Sequence, residues 1–370
     1  MKTAIVLTTI RVPLLLEEYS KNFENYNHKE DVEFIIVGDL KTPQDAERVI
    51  KNLIDKGFEG EYFDVPKQKK WLQRFPKLER IIPYNSDNRR NIGYLIAVER
   101  GAEIIVSLDD DNFVRNEDYL AGHQIVGSTQ TLKTVQSSNN WFNPCSMLET
   151  EPKKNIYPRG FPYSKRWKDD YQFTYSTGRI VINAGLWLGN PDVDAVTNLN
   201  EPVKTVAMKS EQVMLAKGTF APINTQNTAF HRDVLPCYYY ISMGTHINGY
   251  TLDRYGDIWS GFFAKKVINQ IGDRVAFGHS LTDHRRNIHD LFKDLQNELW
   301  GMILTDKIVP LIESIRLTKR TYSDAYLELA KKLNAMINES SEFSADIKNY
   351  FSQITDNMKV WVDVCDKIME

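Results

Sequence analysis

The sequence predicts an α/β protein with a mixed, mostly parallel sheet and an α-helical C-terminal extension. Three observations carry this. Short apolar runs alternate with helix-periodic segments through the first third of the chain. One of those runs, Ile104-Ile105-Val106-Ser107-Leu108, stops on Asp109-Asp110-Asp111. From about Asn287 onward, apolar residues recur at helical spacing. Strands that alternate with helices pair in parallel through right-handed crossovers.

The elements follow in order. Residues 3–7 and 32–37 are strand candidates, the second ending at Gly38-Asp39. A helix is expected over 43–55, where Ala46, Val49, Ile50 and Leu53 share a face. Residues 91–100 form the next helix and feed a strand over 103–108. The stretch 137–260 is rich in aromatics, Gly, Pro and Asn, with strand-like pieces at 179–183 and 238–242. It reads as long loops lining a cleft, since loops carry binding groups on a rigid scaffold. Its aromatic rings suit the C–H faces of a sugar and an ordinary core alike. A helix over 258–271 and the segment 272–278 lead to His279.

Three helical stripes close the chain. The first is Ile288, Leu291, Phe292, Leu295, Leu299 and Ile303. The second is Tyr326, Leu329, Leu333, Met336 and Ile337. The third is Ile347, Tyr350, Phe351, Ile354, Met358, Trp361, Cys365 and Ile368. These amphipathic helices cover the α/β part or offer a homo-oligomer contact. Two units are therefore expected, 1–290 and 291–370.

At 370 residues the chain has room for both. Its formal net charge of −3 provides no basic field for nucleic acid. No apolar run approaches the roughly 18 residues of a membrane span, and Lys2 to Thr9 is too short for a signal h-region. Cys145, Cys237 and Cys365 are odd in number and far apart, which suggests neither a disulfide framework nor a zinc knuckle. A cytoplasmic location is expected from this cysteine usage.

The acidic triplet carries the chemistry. Asp109, Asp110 and Asp111 sit where a buried strand emerges, the edge at which open α/β sheets bind ligands. Three adjacent like charges repel one another. A hard divalent cation, Mn²⁺ or Mg²⁺, shared with a ligand's phosphates would relieve them; a solvated acidic turn is the plain alternative. The GxGxxG and GxxxxGK[ST] fingerprints are absent. A dehalogenase-type phosphatase loop would make Asp109 the nucleophile and Asp111 the acid/base. That loop lies near an N-terminus and carries Thr or Val where this chain has Phe113. A glycosyltransferase-A-type domain fits better, because a Rossmann-like nucleotide-binding half precedes a DxD motif that holds metal against a sugar-nucleotide diphosphate. In it Asp111 is the first metal ligand, and Asp109 is a second that often turns toward ribose or sugar.

Six blocks in order then make the chain resemble the reversibly glycosylated polypeptides, the plant family that includes UDP-arabinopyranose mutase. They are Leu7-Thr8-Thr9-Ile10-Arg11, Arg90-Asn91-Ile92-Gly93-Tyr94, the triplet with Phe113, and Arg159-Gly160-Phe161-Pro162-Tyr163-Ser164. Gly185-Leu186-Trp187-Leu188 follows, with Pro191-Asp192 and Asp194-Ala195 behind it. The last is Arg254-Tyr255-Gly256-Asp257-Ile258-Trp259-Ser260-Gly261. The similarity spans roughly residues 3–290. The chain departs from the plant pattern at Gly38-Asp39-Leu40, at Asn112 and at Gly256-Asp257. These differences leave the nucleotide and the sugar open.

Each block also has a physical reading. Thr8, Thr9 and Arg11 leave the first strand at the ligand edge, where they can hold base and phosphate. Asp39 can bond a base N–H or a ribose hydroxyl, or can serve as a turn residue beside Gly38. Arg90 is expected to bind the diphosphate or to pair with Asp87 on the surface. Gly93, Asp110, Trp187 and Asp194 join the expected nucleotide-sugar site through their blocks. In the family, the arginine matching Arg159 is the site of reversible self-glycosylation. A guanidinium stays protonated and attacks poorly, so it would need a carboxylate beside it, with Asp192, Asp194 and Asp257 as candidates. The alternatives are a fixed cation that stabilises the departing diphosphate and a structural role. In glycosyltransferase-A folds a late His often completes the metal shell; His279 is the first candidate and His284 the second.

The resemblance implies a metal-dependent, flavin-independent pyranose/furanose mutase acting on a UDP-sugar, with Arg159, Asp192 and Asp257 at its centre. The rivals are a glycosyltransferase with an external acceptor and a non-catalytic sugar-nucleotide scaffold.

Overall fold

A computed structural model describes residues 1–286 and 290–370. Asn287, where the helical pattern was expected to begin, lies outside the described residues, as do Ile288 and His289. The first third is β1 (Thr3–Thr9), α1 (Leu15–Asn25), β2 (Val32–Gly38), α2 (Asp45–Asp55) and β3 (Glu59–Phe63). It continues through α3 (Val65–Leu72), α4 (Pro76–Ile81), α5 (Arg90–Glu99) and β4 (Ile104–Leu108). β1 runs parallel to both β2 and β4, and β2 runs parallel to β3. The register sets Thr9 beside Gly38 and Leu7 beside Leu108, so three carboxyl ends share one edge. Alternate residues of β1 enter opposite cores. Ala4 and Val6 face one apolar cluster, while Ile5 and Leu7 face the other. Burial on both faces explains why these strands read as continuous apolar runs.

The middle adds β5 (Asn112–Val114), α6 (Tyr119–His123), β6 (Thr129–Gln136), β7 (Leu148–Glu151) and β8 (Gln172–Gly189). Then come α7 (Ala195–Asn200), β9 (Lys204–Met208), β10 (Val213–Leu215), β11 (Asn227–His231), β12 (Thr245–Ile247), β13 (Tyr250–Leu252), α8 (Gly256–Ile271) and β14 (Arg274–His284). The main sheet runs β3-β2-β1-β4-β11-β8-β6-β10-β14-β5. It is parallel across its first four strands and mixed beyond, where β11 lies antiparallel to β4 and β8. The strand expected over 179–183 is part of the long β8. The one expected over 238–242 is not a strand. There the side-chain amide of Asn91 takes the ladder partner's place, donating to the Tyr240 carbonyl and accepting from the Tyr240 N–H, each at 2.9 Å.

The chain closes with α9 (Leu291–Ser314), α10 (Tyr322–Glu339) and α11 (Ala345–Met369). α10 and α11 bury the stripes read from the sequence, Tyr326, Leu329, Leu333 and Ile337 on one and Tyr350, Phe351, Ile354, Met358 and Trp361 on the other. Their side chains share one continuous apolar cluster with α5 and α8. The first half of α9 does the reverse of what its stripe predicted. It turns Asp294 and Glu298 inward and leaves Phe292 71% exposed. The reason is electrostatic: those two acids meet Arg286 and Arg254. Among the described residues, no helix is long and apolar enough to cross a membrane.

Candidate active site

The strand edge forms the first wall of a cavity of about 470 Å³. β4 is buried throughout, and the three acids that follow it are half-buried. Each has a different partner. Asp109 accepts from Arg90 Nη2 at 2.5 Å, Asp110 from the Thr9 hydroxyl at 2.6 Å, and Asp111 from the Asn112 amide at 3.1 Å. Arg90 is buried, contrary to the expectation of a surface pair with Asp87. Its remaining N–H groups go to Thr8 Oγ1, Ser107 Oγ and the Thr225 carbonyl and hydroxyl, at 2.7 to 3.2 Å. Burial works against the Arg90 charge, and the Asp109 carboxylate overrides it and raises its pKa. Burial pushes the pKa values of Asp109 and Asp110 up, and Asp111 beside them adds to both shifts. The wall therefore carries more negative charge than Arg90 neutralises.

His284, at the end of β14, completes this wall. Its Nε2 lies 3.4 Å from Asp111 Oδ2, and its Nδ1 lies 2.6 Å from the Asn190 carbonyl. The Asn190 carbonyl can only accept, so Nδ1 carries a proton and Nε2 is the nitrogen turned to Asp111, the orientation found in histidines that ligate metal through Nε2. Burial would lower the His284 pKa, but Asp111 outweighs it and raises the value. Excess acid and an oriented imidazole fit a hard divalent cation that draws its other ligands from phosphate and water. Among the described residues there is no group of three or more His, Cys, Asp or Glu side chains placed to hold an ion alone. His279 is corrected. Its side chain is exposed and does not line the cavity, while its carbonyl accepts from Asn183.

Arg159 forms the opposite wall. Its loop is pinned on two sides. The Arg159 N–H donates to the Asp192 carbonyl at 2.8 Å. Gly160 takes φ +84°, where a Cβ would stand 2.2 Å from Ile258 Cγ2. The guanidinium is gripped by two carboxylates. Nε and Nη2 reach Asp192 at 3.0 and 3.1 Å, and Nη1 and Nη2 each reach Asp257 at 3.2 Å. Nη1 also donates to the Arg254 carbonyl, which occupies all five N–H donors. Burial opposes the Arg159 charge, yet Asp192 and Asp257 drive its pKa well above the ordinary arginine value. Burial would likewise raise Asp192, but Arg159 wins and lowers it to about 2. Behind this cage Arg254 Nε bonds Glu298 at 2.8 Å, and Glu298 also accepts from the Ala195 N–H at 2.7 Å.

The sequence-predicted residues thus divide. Thr8, Thr9, Arg11, Asp39, Arg90, Asp109, Asp110, Asp111, Arg159, Asp192 and Asp257 all line the cavity. Asp39 does so while also acting as a turn residue, accepting from the Leu40 and Ser86 N–H groups. Three others do not. Asp194 is fully buried, caps α7 through the Thr197 N–H and pairs with Arg166 at 2.5 Å, so it holds the 158–166 loop rather than a ligand. Trp187 is 3% exposed in the core. Gly93 is a packing glycine, because a Cβ there would meet Val6 Cγ1 at 2.5 Å. Sequence reasoning missed Asp87, Tyr240, Arg254, Arg286 and Asn297 on the cavity wall. Arg254 opened a recognised block and was within reach. Asn297 lies in a helix read only for its apolar stripe and gave no signal.

A family model for the reversibly glycosylated polypeptides matches residues 2–370. The chain is 28% identical over 368 residues to a probable UDP-arabinopyranose mutase 1 of Pisum sativum, covering 98% of this chain and 90% of that one. It is 28% identical over 371 residues to UDP-arabinopyranose mutase 3 of Arabidopsis thaliana, covering 98% and 91%. Among solved structures it aligns with S. aureus TarS 1-349 in complex with UDP-GlcNAc at 11% identity and a TM-score of 0.42, covering 100% of this chain and 84% of that one.

Proposed function

The chain belongs to the reversibly glycosylated polypeptide family, and from that premise we infer that it is a metal-dependent UDP-sugar pyranose/furanose mutase that uses no flavin. Arg159 is the group that receives the sugar. The observation that carries this reading is Arg159, held by two carboxylates, sharing one cavity with the acidic triplet. The relatives named UDP-arabinopyranose mutase support ring interconversion.

Asp111 and His284, with Asp109 nearby, would hold Mn²⁺ or Mg²⁺. Such an ion, when bound, neutralises charge on the departing diphosphate. The chain's own residues do the rest. Thr8, Thr9 and Arg11 present hydroxyls and a guanidinium to base and phosphate from the end of β1. Arg90 has no N–H to spare, so it acts by fixing Asp109. At the sugar, Arg159 forms a bond from Nη to the anomeric carbon, and Asp192 or Asp257 takes the proton that nitrogen releases. The bond from anomeric carbon to diphosphate breaks, and its electron pair leaves with the diphosphate. The ring then opens and closes through a different hydroxyl. A diphosphate oxygen re-forms its bond to the anomeric carbon as the bond from that carbon to Arg159 Nη breaks. The electron pair of that bond returns to the nitrogen, and the carboxylate gives the proton back. Each carboxylate already touches the nitrogen it would deprotonate, which is the positioning such a weak nucleophile needs.

Incubation with labelled UDP-arabinopyranose and Mn²⁺ tests this. Label on Arg159, found by peptide mapping, together with UDP-furanose in solution is the expected result. Transfer only to an added acceptor would sink the mutase reading in favour of a glycosyltransferase. Asp111→Asn and His284→Ala should each weaken Mn²⁺ binding in the presence of UDP at least about tenfold. His279→Ala should leave it unchanged.

A further inference from the structure

We propose that Asp87 is the proton-transfer residue of the ring rearrangement, giving a proton to the departing ring oxygen and taking one from the hydroxyl that closes the new ring. This rests on the mutase reading and assigns a step that Arg159 and the triplet leave uncovered. The observation is one of commitment. Every other carboxylate on the cavity wall is held: Asp39 by two backbone N–H groups, Asp109 by Arg90, Asp110 by Thr9, Asp111 by Asn112 and His284. Asp192 and Asp257 are held by Arg159, and Asp253 by the Arg254 N–H at 2.8 Å. Among the described residues, Asp87 has no hydrogen bond and no ion pair, although it lines the same cavity and is open to it.

Its backbone, by contrast, is rigidly placed. Ser86 caps the short turn Asp87–Arg89 through the Asn88 N–H. The Asn88 side chain donates to the Tyr240 carbonyl. Arg89 is buried, bonds Gln68 through Nε at 2.8 Å and stacks 4.3 Å over the Tyr84 ring. A carboxylate on a fixed turn, with no partner among the described residues, is available to a ligand. The Tyr240 hydroxyl, on the same wall, likewise has no partner among the described residues, so two polar groups here await one.

The charges that face Asp87 suit the work. Arg90 at the head of α5 stabilises its anion. Although Asp87 is open to the cavity, the surrounding walls thin its hydration there, and with Asp109 after β4 and Asp253 and Asp257 around the head of α8 this opposes the anion more strongly and raises the pKa to about 6. Tyr240, with its own pKa raised by burial and by Asp257, stays a neutral donor beside it. A carboxyl that titrates near neutrality can both give and take a proton at working pH. The step balances. The electron pair of the bond between anomeric carbon and ring oxygen goes to that oxygen, which takes the proton of Asp87. The lone pair of the glycosylated Arg159 nitrogen closes to a C=N bond. A second hydroxyl then attacks that carbon, returns the pair to nitrogen and gives its proton back to Asp87.

Asp87→Asn, studied with labelled UDP-arabinopyranose and Mn²⁺, is the test. Pyranose-to-furanose turnover should fall about 10²-fold or more, while label on Arg159 and the Kd for UDP stay at wild-type values. Because the step begins from the protonated acid, wild-type turnover should decline as pH rises through about 6. Asp87→Glu should keep that decline and part of the rate, and Asp87→Asn should lose the decline. Full turnover in Asp87→Asn overturns the proposal. So does a weaker Kd for UDP with unchanged kcat, which would make Asp87 a nucleotide contact, or loss of protein labelling in step with turnover. Failure of wild-type protein to form ring isomers overturns the mutase reading and this proposal with it, and is seen without any variant.

Discussion

Arg90 and Arg159 are both buried guanidiniums that face one cavity, and they are held in opposite ways. Arg90 meets one carboxylate, Asp109, whose side chain is 38% exposed, and otherwise bonds neutral oxygens of Thr8, Ser107 and Thr225. All of these lie at or beside neighbouring strand ends, so the sheet's own register assembles the site. Arg159 meets two carboxylates, Asp192 and Asp257, with side chains 13% and 7% exposed. They come from segments far apart in the chain, and this contact ties them together with the Arg254–Glu298 pair behind it. The first wall is built by the backbone and keeps surplus negative charge for a ligand. The second is built by charge, and the charge is part of its fold.

That difference is broken or upheld by deleting each arginine. Arg159→Ala strands two buried acids facing each other, and removing one partner of a buried ion pair costs about 3–5 kcal/mol. Arg90→Ala strands one partly exposed acid, with a cost nearer 1–3 kcal/mol. Thermal or urea unfolding should therefore rank Arg159→Ala well below Arg90→Ala. Equal losses would mean that the two walls are held alike.

Acid unfolding sharpens the same contrast. Asp192 is ionised in the folded protein down to about pH 2, because Arg159 outweighs the burial that would raise it. In the unfolded chain an aspartate titrates near ~3.9. A depressed folded pKa stabilises above the unfolded value, and the gain is lost as pH falls through the folded one. This carboxylate then contributes about 2–3 kcal/mol that disappears between roughly pH 4 and pH 2. Unfolding curves for wild type and Asp192→Asn should converge over that interval. Curves that stay parallel would show that the Arg159 cage does not hold the fold.

The two walls were also unequally legible. β1, β2 and β4 announce themselves by apolar runs, and the register of a parallel sheet brings Thr8, Asp39 and Asp109 together with no further information. Arg159 was legible through the block that it opens, and two of its three candidate partners, Asp192 and Asp257, do hold it. Asp194 does not, because a block quoted from a family does not say which of its acids faces the cavity and which caps a helix. His279 and His284 lie on one strand five residues apart, and spacing alone could not tell which one reaches Asp111. The inward acids of α9 were invisible for a different reason. Phe292, Leu295, Leu299 and Ile303 make a correct helical stripe, and the tertiary need of Arg254 and Arg286 leaves Phe292 and Ile303 on the outside.

Gly93 separates packing from binding at the smallest scale. It lies in the block that begins with Arg90, so a role at the phosphate was expected of it, yet it faces the sheet and not the cavity. In an exposed helix Gly→Ala gains up to about 1 kcal/mol from backbone entropy. Here the new methyl would stand 2.5 Å from Val6 Cγ1 and 3.1 Å from Val37 Cγ2. Both valines sit in paired parallel strands with stiff rotamers, so α5 must lift. Overpacking of this kind costs about 1–3 kcal/mol, and against the helix gain the net loss should be about 1 kcal/mol. Chemical denaturation of Gly93→Ala checks the loss, and titration with UDP and Mn²⁺ should give the wild-type Kd. A weakened Kd at unchanged stability would return Gly93 to the ligand, and with it the idea that the strand-edge wall is more than the sheet's own geometry.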